Sequence, residues 1–257
     1  MSIITLTTDW NKEDFYIGSL KGNILSQCNE ARIIDITHRT KSFNIPEAAF
    51  ILRNTYKQFP KGSVHIIGIK SEASANQEHV IVEKDGHYFI GADNGIFGLI
   101  FQDSPDKIIH ISEKPAQPTF PSLSLFSSIA CKIIQGHSID ELGTKAQDIS
   151  RKIPIRPTID DSVIIGKVVY IDSFSNAITN ITKDLFYRVA DKRKFQIFVQ
   201  SNANKISKIS KTYNESPEGE LLALFNSLNL LEIAMNGGNA AEILSLNTNS
   251  TIRIRFK

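Results

Sequence analysis

The 257-residue sequence is poor in cysteine, methionine and tryptophan, with two, two and one of each. Cys28 and Cys131 lie in apolar helical patterns, and neither has a partner at the spacing of a metal-binding or redox motif. We therefore expect two reduced, buried thiols and no disulfide framework.

The sequence also lacks long apolar runs and a large excess of positive or negative residues. No apolar stretch approaches the roughly 18 residues of a membrane span, and Asp9 interrupts the chain before the apolar core of a signal peptide could form. The 29 basic and 27 acidic residues are scattered along the chain and leave a net charge of +2. We therefore expect a cytoplasmic protein that binds neither nucleic acid nor a membrane.

The sequence also lacks the residue spacing that is typical of a metal-binding site. The six histidines lie on separate predicted elements without the spacing that holds zinc or iron, so we expect no metal and no resident cofactor.

What is present is the composition of a globular protein, 41% hydrophobic and 22% charged. Residues 1–150 alternate between strand patterns and helical patterns, which predicts an α/β N-terminal domain with a central, largely parallel sheet. Residues 137–160 are rich in breaks and are interpreted as the linker. Residues 161–257 predict a smaller, mainly antiparallel β domain with one short helical piece at 240–244.

A carboxylate closes the first predicted strand. The run from Ile3 to Thr8 is rich in strand formers and ends at Asp9, at the sheet edge where open α/β folds bind ligands. An ionised Asp only accepts hydrogen bonds and suits the paired hydroxyls of a ribose. The alternative is that Asp9 caps a helix, which is the commoner role for an Asp after a strand.

Seven motifs occur in register along almost the whole chain, and together they resemble the S-adenosyl-L-methionine hydroxide adenosyltransferase family, also called S-adenosyl-L-methionine hydrolases, which is related to the bacterial fluorinase and chlorinase. They are residues 4–9 (ITLTTD), 34–38 (IDITH), 47–50 (EAAF), 59–65 (FPKGSVH), 91–95 (GADNG), 171–181 (IDSFSNAITNI) and 231–241 (LEIAMNGGNAA).

The resemblance implies an α/β domain followed by a β-rich domain, and a homotrimer. It also implies that the ligand lies between the N-terminal domain of one subunit and the C-terminal domain of the next. The implied reaction is displacement at the ribose C5′ of S-adenosylmethionine by water, with methionine leaving.

Ligand-binding roles follow from the resemblance, residue by residue. Asp9 matches the residue that holds the ribose hydroxyls, and Phe43 an aromatic that packs on the ribose, although its spacing alone indicates a core residue. Ser122 matches a ribose contact of the halogenating branch.

The C-terminal matches concern the rest of the ligand. Asp172 matches the partner of the methionine ammonium, and Phe174 and Asn176 match the segment that contacts adenine. Ser227 and Asn236 match the other side of the adenine and methionine site. For Asp172 and Asn176 the alternative is turn chemistry, in which their side chains bond their own backbone.

The sequence departs from the family at the residues that handle the nucleophile. The positions of the hydrolase Asp, Arg and His are Lys70, Gln77 and Pro121, and no catalytic residue is assigned. Leu228 stands where the fluorinase has an Arg for the methionine carboxylate. Lys70 could equally be a solvated loop residue. We therefore expect an adenosyl-binding protein that is either a weak S-adenosylmethionine hydrolase or a binding protein for adenosine or S-adenosylmethionine without turnover.

Overall fold

The chain forms two compact units, Met1–Ile153 and Pro154–Lys257. The computed structural model describes residues 2–74, 77–101 and 103–257. Each unit has its own sheet and its own buried core.

The N-terminal unit contains a seven-stranded sheet with the strand order β2-β1-β3-β5-β4-β6-β7. Its strands are β1 (Ile3–Thr8), β2 (Arg32–Thr37), β3 (Val64–Gly68), β4 (His79–Lys84), β5 (His87–Ala92), β6 (Lys107–Ile111) and β7 (Gly143–Lys145). Strands β2, β1, β3 and β5 pair in parallel, whereas β4, β6 and β7 join antiparallel. The predicted α/β class with a largely parallel central sheet is confirmed.

Helices cover both faces of this sheet, as the sequence predicts. They are α1 (Phe15–Gln27), α2 (Ile45–Arg53), α3 (Ile96–Ile100) and α4 (Ser127–Ile134), with a π-helical turn (Ser122–Phe126) before α4 and short 3-10 turns at Tyr56–Gln58 and Ile139–Glu141. Neighbouring strand residues point to opposite faces, so Ile66 packs with α1 and α4 while Ile67 packs with α2 and α3. Cover on both faces explains why β1 and β3 are buried along their whole length, whereas the edge strand β2 is largely exposed.

The parallel strands all end at one edge of the sheet. Thr7 of β1 lies opposite Thr37 of β2, and Thr8 lies opposite Gly68 of β3. The residues that follow these strands, Asp9, His38 and Lys70, therefore share this edge.

The C-terminal unit is built on a nine-stranded sheet with the path β12-β11-β16-β9-β10-β15-β14-β13, and with β8 paired to β9. Its strands are β8 (Thr158–Asp160), β9 (Val163–Ile171), β10 (Ala177–Thr182), β11 (Phe195–Val199), β12 (Lys205–Ile206), β13 (Ile209–Ser210), β14 (Leu221–Phe225), β15 (Leu230–Met235) and β16 (Thr251–Phe256). All pairs are antiparallel except β13 with β14, which confirms the predicted β-rich character.

One local prediction for this half of the chain is wrong, because a helix was missed. Besides the predicted short helix α6 (Ala240–Ile243) and a 3-10 turn (Tyr213–Glu215), the unit contains α5 (Lys183–Ala190), whose N-cap Thr182 accepts a hydrogen bond from the Leu185 amide. The boundary between the two units falls inside the predicted linker at 137–160, although this segment also contains β7 and β8, which extend the two sheets. Among the described residues, no helix combines the length and apolarity needed to cross a membrane.

Candidate functional site

Asp9 is held at the parallel edge of the N-terminal sheet by a backbone amide. Its Oδ2 accepts a hydrogen bond of 2.6 Å from the Phe43 N–H, and its side chain is half-buried. Burial raises the pKa of the Asp9 carboxyl, and the Phe43 amide opposes that change. The capping alternative is wrong, because Asp14 caps α1.

Phe43 projects from a turn in an unusual conformation. Its φ is +62°, in the left-handed region that an L residue adopts rarely. Its side chain is 72% exposed, so the interpretation as a core residue is wrong. Strained backbone of this kind is concentrated at ligand-binding positions, which favours a contact role for the ring.

An aromatic surface lies beside Asp9 that the sequence did not predict. A Cβ at Gly68 would lie 2.6 Å from Trp10 Cζ2. The Trp10 indole can therefore pack here only because Gly68 has no side chain. The Phe120 ring packs against Trp10, with centroids 4.7 Å apart. The only sign of this surface in the sequence is Trp10, the aromatic residue directly after Asp9.

Lys70 begins a loop whose backbone is fixed by two amide side chains. Its φ is +44°, and its carbonyl accepts hydrogen bonds from Gln77 Nε2 at 2.9 Å and Asn94 Nδ2 at 3.3 Å. The Gln77 amide also donates to the Glu72 carbonyl, so Gln77 shapes this loop. The Lys70 residue itself is exposed.

Ser122 is the buried hydroxyl next to this loop. Its Oγ donates to Ser71 Oγ at 3.3 Å, and His79 Nε2 bonds the Ser71 carbonyl at 2.8 Å. Burial lowers the pKa of His79, which keeps this imidazole neutral. Pro121, buried beside Ser122, has no group that could take over the missing histidine.

In the C-terminal unit, Asp172 organises the turn between β9 and β10. Its Oδ1 accepts from the Phe174 amide at 2.9 Å and the Asn176 amide at 2.8 Å, and its Oδ2 accepts from Asn176 Nδ2 at 3.1 Å. The turn-chemistry alternative is therefore confirmed for Asp172, whereas the Asn176 side chain bonds the Asp172 carboxylate and no backbone group among these hydrogen bonds. The turn leaves the Phe174 side chain 74% exposed, as an aromatic contact requires.

Asp172 and Ser227 also line a common cavity of about 480 Å³. Tyr213 and Glu232 lie in the same wall, with Tyr213 Oη donating to Glu232 Oε1 at 2.8 Å. Burial and the Glu232 carboxylate raise the pKa of Tyr213 to about 12. Asn236 does not line this cavity, and its Nδ2 donates to the Ser216 carbonyl at 2.8 Å.

No group of three or more His, Cys, Asp or Glu side chains in the described part of the chain is placed to hold a metal ion. The polar groups at hand are carboxylates, amides and hydroxyls, and the two carboxylates, Asp9 and Asp172, bond the backbone of the exposed aromatic residues Phe43 and Phe174. Such a set suits an organic ligand that has both hydroxyl groups and a flat ring.

These features define a small-molecule-binding protein with one α/β unit and one antiparallel β unit. The chain belongs to the SAM hydroxide adenosyltransferase family: the sequence profile of the family's N-terminal domain matches residues 4–143, and that of its C-terminal domain matches residues 166–253. The predicted family is thereby confirmed.

The chain is similar to several other proteins over nearly its whole length. It is 32% identical to the (R)-S-adenosyl-L-methionine hydrolase of Methanocaldococcus jannaschii, over 100% of this chain and 97% of that protein. It is 21% identical to the fluorinase of Actinopolyspora mzabensis, over 98% and 96% of the two chains. An uncharacterized conserved protein from Thermotoga maritima has a similar structure, with a TM-score of 0.88 and 26% identity over 98% and 99% of the chains.

Proposed function

We propose that this protein binds S-adenosyl-L-methionine and hydrolyses it to adenosine and methionine. The observation that carries the proposal is the Asp9 carboxylate beside the exposed Phe43 ring, at the ligand-binding edge of a chain that belongs to this family. The relative that is 32% identical over the whole chain is named as an enzyme for this substrate.

The adenosyl group occupies both halves of the proposed site. Asp9 accepts hydrogen bonds from the two ribose hydroxyls, while Phe43 and Ser122 contact the sugar. Asp9 Oδ2 already holds the Phe43 amide, and a carboxylate, with about four acceptor positions, can also accept from ribose hydroxyls. A carboxylate that accepts from hydroxyls gains charge-assisted hydrogen bonds, which are about twice as strong as neutral ones.

The second half of the proposed site comes from the C-terminal unit. Phe174 and Asn176 contact adenine, and Asp172 receives the methionine ammonium. Ser227 and Asn236 contact the opposite side of the ligand. The Asp172 hydrogen bonds support this assignment, because they fix the turn that presents the Phe174 ring.

The proposed reaction forms a bond between the oxygen of water and C5′ of the ribose and breaks the bond between C5′ and the sulfonium sulfur. The sulfur keeps the bonding electron pair and leaves as the neutral thioether of methionine, while the water proton passes to solvent. Because the leaving group is neutral, no general acid is needed. The protein contributes position and a partly dehydrated nucleophile.

Slow turnover is expected, because Lys70, Gln77 and Pro121 occupy the positions of the water-handling residues. Gln77 is committed to the loop backbone, and Pro121 is apolar and buried. The other proposed outcome is a protein that holds the ligand without converting it.

We also propose a homotrimer with its sites between subunits, a cytoplasmic location and no resident cofactor. Phe43 and Phe174, the two exposed aromatic residues assigned to the ligand, lie in different units of the chain, so a complete site needs both.

Incubation of the purified protein with S-adenosylmethionine tests the activity. We expect adenosine and methionine to accumulate in equal amounts, measured by chromatography, and an Asp9→Asn variant to form neither above the uncatalysed background. If the wild-type protein also forms neither, it is not a hydrolase, and binding of S-adenosylmethionine measured by calorimetry would then distinguish a binding protein from one without this ligand.

A further inference from the structure

His38 directly follows β2 and closes a motif, residues 34–38, that none of the proposed ligand contacts uses. The residue is only 1% exposed. We propose that His38 is a positioning residue of the ribose site, which holds the chain on both sides of Asp9 so that this carboxylate meets the ribose hydroxyls. This inference rests on the proposed function and names a residue that determines how well a ribose is preferred.

Two hydrogen bonds of His38 lie on either side of Asp9 in the chain. Before Asp9, the buried Thr8 Oγ1 lies 2.7 Å from His38 Nδ1. After Asp9, the His38 carbonyl accepts a hydrogen bond of 2.9 Å from the Asn11 N–H. Asn11 has a φ of +64°, so this bond holds a turn that few residue types adopt readily. The segment that carries Asp9 is therefore fixed at both ends to one residue.

A third hydrogen bond joins the same two pieces of chain. His38 and Phe43 belong to the connection between β2 and α2, and the Phe43 N–H donates to Asp9 Oδ2 at 2.6 Å. Without the two His38 bonds, Asp9 would keep only the bond to Phe43, which is itself part of a turn. A binding group needs such supporting contacts to stay within about 0.5 Å of its productive position. We therefore expect the Asp9 carboxylate to be less well placed when His38 is replaced.

Asp35 determines how the His38 ring is used. Its Oδ1 lies 3.1 Å from His38 Nε2, and its Oδ2 accepts from Lys21 Nζ at 2.7 Å. Burial lowers the pKa of His38, so the neutral ring has one donor and one acceptor. The contact with Asp35 is too oblique for a good hydrogen bond, but its negative charge favours the proton on Nε2. His38 Nδ1 is then the acceptor, and the Thr8 hydroxyl donates to it.

Calorimetry with adenosine and 2′-deoxyadenosine tests the assignment on the full-length chain. The two nucleosides differ by one of the hydroxyls assigned to Asp9. We expect the wild-type protein to prefer adenosine by about tenfold or more, the range of a hydrogen bond to a charged group. In His38→Gln, whose amide lies at the level of Nε2 and leaves no polar atom at the level of Nδ1, adenosine affinity should fall about threefold to tenfold. The preference for adenosine should shrink by about threefold.

Matched variants separate positioning from a general loss of stability. His38→Asn places a polar atom at the level of Nδ1 and should keep most of the preference for adenosine. Thr8→Val removes the hydroxyl but keeps the branched shape, and it should reduce the preference as His38→Gln does. His137→Gln replaces an exposed histidine of the same unit and should change neither affinity. Melting temperatures of all variants report the stability separately.

The possible results distinguish this inference from the proposed function. A wild-type preference for adenosine in both His38→Gln and Thr8→Val, together with lower melting temperatures, would show a purely structural role and overturn the inference alone. If His38→Gln does not fold, Thr8→Val decides in the same way. A wild-type protein that binds neither nucleoside, or binds both equally, would instead contradict the ribose contact of Asp9 and with it the proposed function.

Discussion

At the scale of single residues, the Asp9 carboxyl makes a structural hydrogen bond and is also half-buried. One oxygen fixes the Phe43 turn through a backbone amide, and burial raises the pKa of the carboxyl. An acid with a raised pKa in the folded state is destabilising in its charged form. We infer that this destabilisation is retained because the ionised carboxylate is needed to bind the ligand.

This trade-off predicts the behaviour of Asp9→Asn. Between the ordinary pKa of 3.8 and the raised folded value, the folded protein holds a proton that the unfolded chain has released. The contribution of Asp9 to stability therefore falls as the pH rises through that window, and it remains unfavourable at neutral pH. The asparagine can still accept from the Phe43 amide but has no charge to bury. We expect the melting temperature of the variant, relative to wild type, to increase between about pH 4 and pH 7.

Asp14→Asn is the control for this measurement, because Asp14 is an exposed carboxylate that caps α1 through its own side chain. Asparagine is an equally good cap, so its relative melting temperature should show no such rise. A melting temperature for Asp9→Asn that falls below wild type as the pH becomes neutral would show that the carboxylate stabilises the fold instead.

The position of a side chain was predictable from the sequence where it follows a strand, as for Asp9 after β1, and was not predictable where it depends on a turn of the backbone. The exposure of Phe43 depends on a φ of +62°, which neither its apolar character nor its spacing indicates. The stack of Trp10 on Gly68 depends on the register of β1 against β3, a long-range feature that the local pattern does not contain.

At the scale of elements, long patterns gave correct predictions, whereas several of the short elements were missed. The strands of the parallel sheet are rich in strand-forming residues and were predicted. Helix α5 has only eight residues, so its buried Leu185, Phe186 and Ala190, although they lie on one helical face, form too short a pattern to identify a helix. Strands β7 and β8 have three residues each, too few to produce an alternation.

Packing between α1 and α4 brings the two cysteines together. Cys28 at the end of α1 and Cys131 in α4 are 103 residues apart in sequence, yet their sulfurs are 2.7 Å apart and both are buried. Burial and the neighbouring Cys28 raise the pKa of the Cys131 thiol to about 12.

Slow reaction of these thiols with alkylating reagents is therefore expected. In native protein at about pH 8 we expect iodoacetamide to modify neither cysteine, because both are buried and the raised pKa of Cys131 keeps that residue a thiol. In denaturant both should react, which serves as the control, and mass spectrometry counts the adducts. Rapid alkylation of the native protein would contradict the packing of α1 against α4.

At the scale of the whole molecule, the proposed ligand contacts are divided between two units that fold around separate cores. Asp9, Phe43 and Ser122 belong to the N-terminal unit, and Asp172 with its turn belongs to the C-terminal unit. We predict that the protein in solution is a trimer, which would bring unlike units of neighbouring subunits together. Light scattering after gel filtration should give three times the 28.7 kDa chain mass, and the mass of a single chain would contradict the proposed assembly.

Binding of adenosine to wild type and to Asp9→Asn is the most direct test of the claim that a ribose lies on the Asp9 carboxylate. By calorimetry we predict saturable binding to the wild-type protein and a loss of about tenfold or more in Asp9→Asn, as expected when a charged acceptor of two hydroxyls is lost. Asp14→Asn should bind as the wild type does. Equal affinity of wild type and Asp9→Asn, or no binding of adenosine to the wild-type protein, would contradict the claim.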